Sequence, residues 1–279
     1  MPALDAVASY LRCPVCGDPV RVEVAQVRCR RGHSFDIARQ GYVTLTAGRA
    51  GPGTGDSGEM VIARDAFLGA GHYQPLADEL AALATARDQG GPGLVVDLAG
   101  GTGYYLAQVL DALPARAGAC LDLSVPALRR AARAHPRAAA VGADAWAPLP
   151  LADGCAALVL SVFGPRNAAE TARVLAPGGA LVVASPGPGH QRELREALGL
   201  IGIDASKADR LADTYRDFPA PVLTRVRYEL RLDHAALTDL VAMGPSARHI
   251  TPAELAERVA AVPDPAPVTV DVEVRTFQA

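Results

Sequence analysis

Residues 95–106 read V-V-D-L-A-G-G-T-G-Y-Y-L, and this stretch decides the fold. An apolar run, Leu94-Val95-Val96, ends in an acid, Asp97. Gly100, Gly101 and Gly103 follow. Beyond them Leu106, Val109, Leu110 and Leu113 recur at i, i+3, i+4 and i+7, up to Pro114. That period is the apolar stripe of a helix. Strand, glycine turn and helix together make the first unit of a nucleotide-binding α/β domain. Glycines in the turn let the backbone reverse sharply and approach a ligand that a Cβ would push away.

Working outward, a second apolar run, Gly118 to Leu121, ends in Asp122, 25 residues after Asp97. An acid at that strand end can accept hydrogen bonds from ribose hydroxyls. The turn is not G-x-G-x-x-G. It lies closer to D-x-G-x-G-x-G, which suits S-adenosylmethionine (SAM), a ligand with no pyrophosphate to cradle. Ala99 stands where that pattern has its first glycine. A third short strand, Ala138 to Ala143, ends near Asp144, an acid placed to meet an adenine amino group. Ala156 to Phe163 is an almost unbroken apolar run, as a parallel strand covered on both faces requires. It ends in Gly164-Pro165-Arg166-Asn167. Ala180 to Ser185 follows as a fifth strand, and Pro186-Gly187-Pro188-Gly189-His190 comes after it. Ligands of open α/β sheets bind at the carboxyl ends of strands, so both turns should face one site. Alternating stretches at Val222 to Leu232 and Val268 to Phe277 fit a closing antiparallel hairpin. The expected class is α/β: a Rossmann-like SAM-dependent methyltransferase domain with a mostly parallel seven-stranded sheet.

The N-terminal stretch has a different character. Cys13-x2-Cys16 is followed, after twelve residues, by Cys29-x3-His33. Zinc takes four N or S ligands in a tetrahedron, and pairs at this spacing sit on two knuckles. A redox pair at Cys13 and Cys16 is the competing reading. With four protein ligands the site would be structural. Cys120 and Cys155 fall within apolar runs and read as packing thiols. Residues 1–46 are therefore expected as a small zinc-binding module. Residues 47–75 follow as a glycine-rich linker with a helix from Met60 to Leu68, capped by Asp56 or Ser57. The methyltransferase domain then takes 76–279.

Composition sets outer bounds. The chain has 279 residues, half of them hydrophobic, with a net charge of −3. No apolar run reaches the roughly 18 residues that span a bilayer, and no signal peptide precedes Cys13, so a cytoplasmic location is expected. A protein coating nucleic acid non-specifically would be basic. Any such contact must be local, and Arg12, Arg21, Arg28, Arg30, Arg31 and Arg39 outnumber Asp18, Glu23 and Asp36 in the zinc module.

The zinc knuckle, R-Q-G-Y-V-T-L at 39–45, G-D-S-G-E-M-V-I-A-R-D-A-F-L-G-A-G-H-Y-Q-P-L at 55–76, the D-L-A-G-G-T-G-Y-Y turn and P-G-P-G-H at 186–190 together resemble the RlmA family. Its members are 23S ribosomal RNA (guanine-N1)-methyltransferases. The resemblance implies Cys13, Cys16, Cys29 and His33 as zinc ligands, and SAM contacts from Tyr73, Gly100, Gly101 and His190. Asp97, Gly103, Asp122 and Asp144 are added from generic SAM-domain geometry. The tylosin-resistance (TlrB-like) branch methylates a guanine in the hairpin-35 loop, and the composition leans toward it. Guanine N1 carries a proton that something must accept, for which Asn167, Arg166, His72 and Asp56 are unranked candidates. A homodimer, with two zinc modules flanking one RNA hairpin, is a further expectation. The alternative is a methyltransferase of a small metabolite with a purely structural zinc module.

Overall fold

The protein is described here as a computed structural model, which covers residues 2–48, 55–199 and 207–278. Residues 49–54, the middle of the expected glycine-rich linker, lie outside the described residues. A short helix α1 (Pro2–Val7) opens the chain. Strands β1 (Val20–Val22), β2 (Gln26–Cys29) and β3 (Ser34–Asp36) form a three-stranded antiparallel sheet in that order. The two-residue strand β4 (Val43–Thr44) follows. Next come helices α2 (Gly58–Gly69) and α3 (Gln74–Arg87). Of the two caps expected for α2, Ser57 serves: its hydroxyl accepts from the Met60 N–H.

The α/β alternation then runs as the sequence predicts. It comprises β5 (Leu94–Leu98), α4 (Tyr104–Ala112), β6 (Gly118–Asp122), α5 (Val125–Ala134), β7 (Ala138–Gly142), β8 (Ala156–Val162), α6 (Ala168–Val174) and β9 (Leu175–Pro186). Helices α7 (Arg192–Leu198) and α8 (Lys207–Thr214) precede β10 (Val222–Leu232). Helices α9 (His234–Ala242) and α10 (Pro252–Ala260) separate β10 from β11 (Ala266–Gln278).

The main sheet runs β10-β11-β9-β8-β5-β6-β7-β4. Strands β4 to β9 are parallel where they pair, and the closing hairpin β10–β11 is antiparallel. The sheet thus has eight strands, one more than the seven expected. The extra strand comes from the N-terminal segment: Val43 and Thr44 pair in parallel with Val141 and Gly142. Gly142 makes this possible, because a Cβ there would stand 2.9 Å from the Thr44 hydroxyl.

This pairing also changes the domain picture. The segment expected as a module of its own has no separate core. Leu4, Val7, Leu11, Val27 and Val43 pack in one buried cluster with Leu94, Val96, Val141 and Leu181 of the main sheet. A three-stranded segment of this size buries too little apolar surface to stabilise itself, and gains more by sharing a larger core. The other face of the sheet carries a second cluster. It takes in Phe67 and Leu68 of α2, Leu76 and Leu80 of α3, and Leu237 and Leu240 of α9. The expected linker helix is therefore part of the main domain too. Each fully buried Leu or Val in these clusters contributes about 1.5–3 kcal/mol relative to exposure.

Candidate active site and zinc centre

A cavity of about 670 Å³ opens at the carboxyl ends of β5 to β9, where the glycine turn predicts it. Its floor and walls include Asp97 and Ala99 after β5, Asp122 after β6, Asp144 and Trp146 after β7, Phe163 after β8, and Pro186 and His190 after β9. The volume lies in the range of small-molecule and cofactor sites, roughly 300–1,000 Å³.

Asp97 is the most costly group in it. The carboxylate is 1% exposed, and neither oxygen has a hydrogen-bond partner. Burial pushes its carboxyl up to about 8, and the nearby Asp122 charge adds to the effect. A buried polar group without a partner is costly, and such groups gather where a ligand supplies the partner. Gly100 leaves room for it: a Cβ at Gly100 would fall 2.6 Å from the Asp97 carboxylate and 2.7 Å from the Cys120 sulfur.

The turn itself holds strain. Ala99 adopts φ +54°, Phe163 +56° and Gln191 +52°. Among the described residues these are the three non-glycine residues with positive φ, and all three line the cavity. Such conformations cost on the order of 1–3 kcal/mol each and cluster at functional sites. The position where the pattern has its first glycine adopts a positive φ, so its cost falls on an alanine. Gly101 (φ +58°) and Gly103 (φ +78°) shape the turn from behind and do not line the cavity. The Gly101 N–H donates to Asp122 at 2.9 Å, and a Cβ on Gly103 would crowd Ala131 and Ala134 of α5.

Asp122 also accepts from the Ser124 N–H at 2.7 Å, which aims its carboxylate. Burial pushes its carboxyl up, while those two N–H groups pull the other way. Asp144 accepts from the Trp146 N–H at 2.9 Å and stands at the cavity wall. Tyr73 is buried against His190, its hydroxyl 3.4 Å from His190 Nε2. His190 Nδ1 accepts from the Asp271 N–H at 3.2 Å, so Nε2 carries the ring proton and donates to Tyr73. Gln191 also donates to that hydroxyl, at 3.1 Å. With both contacts received, the Tyr73 hydroxyl proton is left to point elsewhere.

Asp56, among the four proton-acceptor candidates, lines the cavity. It is ion-paired with Arg64 at 2.7 Å, and Arg64 also donates to the Met243 carbonyl at 2.8 Å. The other three stand apart from the lining. Asn167 caps α6 through its carboxamide oxygen and donates to the Ala145 carbonyl at 3.1 Å, so both ends of its amide are engaged in structure. Arg166 is half-buried beside Tyr215, and desolvation pulls its pKa down. His72 packs against Phe67, with ring centroids 4.7 Å apart and the planes tilted by 38°.

Sequence reasoning missed several residues. Thr102 lines the cavity from the glycine turn, and Arg64 holds Asp56 from α2. Asp271 of β11 is fully buried. It receives Arg225 in a two-pronged ion pair at 2.6 and 2.7 Å and accepts the Gly189 N–H at 2.8 Å. It thereby sets the 187–190 loop that carries His190. The one available signal was an acid inside the apolar run V-T-V-D-V-E-V.

The zinc ligands come together as their spacing predicts. The ligand atoms of Cys13, Cys16, Cys29 and His33 all lie within 4.8 Å of one another. The Cys16–Cys29 sulfurs are 3.8 Å apart, and His33 Nδ1 is 3.5 and 3.4 Å from the Cys13 and Cys29 sulfurs. A tetrahedron with Zn–S near 2.3 Å and Zn–N near 2.05 Å has S–S edges of about 3.8 Å and S–N edges of about 3.5 Å. The donor set fits that metal. Cys120 and Cys155 are buried, as expected of packing thiols.

Residues 11–46 match the RlmA N-terminal zinc ribbon. A 23S rRNA (guanine(748)-N(1))-methyltransferase of Streptomyces fradiae is 49% identical over 268 residues, which is 95% of each chain. The chain belongs to this family. A Micromonospora griseorubida relative is 48% identical over 290 residues, covering 96% of this chain and 97% of its own. One from Bacillus subtilis is 30% identical over 258 residues, covering 86% and 87%. Both bear the name "Putative 23S rRNA (guanine-N(1)-)-methyltransferase". A Thiobacillus denitrificans SAM-dependent methyltransferase crystallised with S-adenosyl-L-homocysteine has a TM-score of 0.43 and 16% identity, over 72% of this chain and 91% of that one.

Within the family's zinc ribbon the arginine patch is partly neutralised. Arg30 and Arg31 both meet Asp18, at 3.2 and 3.0 Å, and Arg21 meets Glu23 at 2.9 Å. Among the described residues no helix is long and apolar enough to cross a membrane.

Proposed function

We propose that this chain transfers a methyl group from SAM to N1 of a guanine in the hairpin-35 loop of 23S rRNA, and so protects a cytoplasmic ribosome against tylosin-type macrolides. The observation that carries this reading is the near-complete 49% match to a methyltransferase named for N1 of guanine 748. The cavity at the strand ends supports it. A homodimer, with two zinc ribbons flanking one hairpin, is the assembly that would suit such a substrate.

Bound SAM supplies an electrophilic methyl group on a sulfonium. Asp97, whose buried carboxylate lacks any protein partner, would hold the cofactor's ammonium. Asp122 would take the ribose hydroxyls, Asp144 the adenine amino group, and Tyr73 and His190 the remaining wall. Preset dipoles and contacts of this kind accelerate mainly by position. For each turnover the N1–methyl bond forms, the sulfur–methyl bond breaks and the N1 proton leaves. Asp56, ion-paired with Arg64, is the candidate acceptor at the cavity. The same Arg64 charge would steady the enolate-like base. The target base must leave its stack to reach the cavity, which favours a loop guanine.

The test is methyl transfer from labelled SAM to unmodified 23S rRNA, with the modified base mapped by primer extension. A stop at one guanine of the hairpin-35 loop is expected. No incorporation into RNA by a protein that still binds SAM would overturn the proposal and point to a small-molecule acceptor.

A further inference from the structure

Trp146 is the one tryptophan in the chain, and it is not used to fill the core. It is 68% exposed and stands at the wall of the cavity. Its backbone is pinned, since its N–H donates to Asp144 at 2.9 Å. A solvent-facing indole at a site mouth gains nothing for the fold. Phe163, 39% exposed and held at a strained φ of +56°, lines the same cavity. Arg195 and Arg210 also belong to the lining.

The chain beyond Trp146 leads directly to the zinc centre. Four residues on, the Pro150 carbonyl accepts the Arg12 N–H at 2.9 Å, next to Cys13. Leu151 bridges to Leu11. Residues 148–153 line a second hollow together with Arg12, Cys13, Pro14 and Gly17 of the knuckle. Trp146 therefore lies on the segment that joins the cavity lining to the zinc knuckle. This places an exposed aromatic ring at the cavity on the segment that leads to the knuckle.

We propose that Trp146 is a positioning residue, a stacking platform for an unpaired nucleobase of the RNA substrate between the zinc knuckle and the cavity. The inference rests on the RNA-methyltransferase reading above. Unpaired bases of RNA loops are held by stacking on aromatic side chains, and every base offers a π-face. Arg195 and Arg210 supply positive charge for the phosphates that accompany it.

The experiment uses the full-length zinc-loaded protein and a hairpin-35 RNA. Excitation at the red edge of the indole band reads Trp146 alone, because no other tryptophan is present. Quenching should accompany RNA addition and be small with S-adenosyl-L-homocysteine alone. Trp146→Ala should raise the KM for RNA roughly 5- to 150-fold, the range expected for one lost base stack. It should leave SAM affinity and kcat at saturating RNA close to wild type, and Trp146→Phe should restore most of the loss. Because the side chain is exposed, the variant folds. An unchanged KM for RNA overturns the proposal. So does loss of SAM affinity in Trp146→Ala, which would make the indole an adenine contact. Wild-type activity on 23S rRNA in the same assay separates this outcome from failure of the functional reading itself.

Discussion

Replacing Asp97 by Asn should stabilise the SAM-free protein at neutral pH while weakening SAM binding. The unfolded chain gives up this proton near 3.9, whereas the folded protein holds it up to about 8. Between those values the folded state binds more protons than the unfolded one, so stability falls as pH rises through the window and is complete below it. At pH 7 the window spans about three units. At about 1.4 kcal/mol per unit, ionisable Asp97 costs the fold up to about 4 kcal/mol. Asn escapes that cost but leaves a buried amide without a partner, which costs about 1–3 kcal/mol. The net gain for Asp97→Asn is then on the order of 1–3 kcal/mol at pH 7. Near pH 4 it disappears or reverses. Calorimetry without SAM from pH 4.5 to 8 should show the difference in melting temperature widening by about 2–3 °C per pH unit. Subtracting the two proteins removes the contribution of other titrating groups. A difference that stays flat with pH would refute the buried, unpartnered state assigned to Asp97. SAM affinity should move the opposite way, dropping at least about tenfold, as titration calorimetry would read.

Three further outcomes follow from the geometry. Gly100→Ala should abolish SAM binding, because its Cβ would fall on the Asp97 carboxylate and the Cys120 sulfur; near-normal affinity by equilibrium dialysis would contradict the cavity floor. Cys16→Ser should release zinc, with metal content after gel filtration as the readout. Because the knuckle shares its core with the main sheet, the melting point of the whole protein should fall with it, and an unchanged zinc content would refute the ligand set. Asp271→Ala should destabilise by roughly 1–3 kcal/mol, since Arg225 and the Gly189 N–H lose their acceptor. It should also weaken SAM binding through the His190 loop, and a stability loss with SAM affinity intact would show that the loop does not depend on it.

The order of strands in the α/β core was legible because parallel strands buried on both faces leave apolar runs, and because turn glycines and helix caps punctuate them. Leu94 to Leu98 and Ala156 to Val162 show this directly. The zinc ligands were legible because their spacing fixes two knuckles. What escaped depends on contacts far apart in sequence. Val43-Thr44 is too short to announce a strand, and its pairing with β7 depends on the bare backbone of Gly142. Asp271 reads as one polar residue in a strand, yet it organises a loop some 80 positions away. Asn167 sits at a strand end, where ligands bind, but it is consumed as a helix cap. Ala99 looked like a defect in the turn, whereas the backbone there adopts φ +54°.

The position of β11 has a consequence for synthesis. It is the last strand in the described chain, yet it lies inside the sheet, between β9 and β10. His190 and Asp271, which brace each other, are 81 residues apart. At roughly 5–20 residues per second, a ribosome needs about 4–16 s to make that interval. Through that time the glycine turn, Asp97 and Asp122 are already outside the ribosome, while the wall that carries His190 has nothing to lean on. The nascent chain thus passes through a stage with half a cofactor site and an unpaired β9 edge, because β10 pairs with β11 alone. The wall that carries His190 gains its brace only when β11 pairs with that edge.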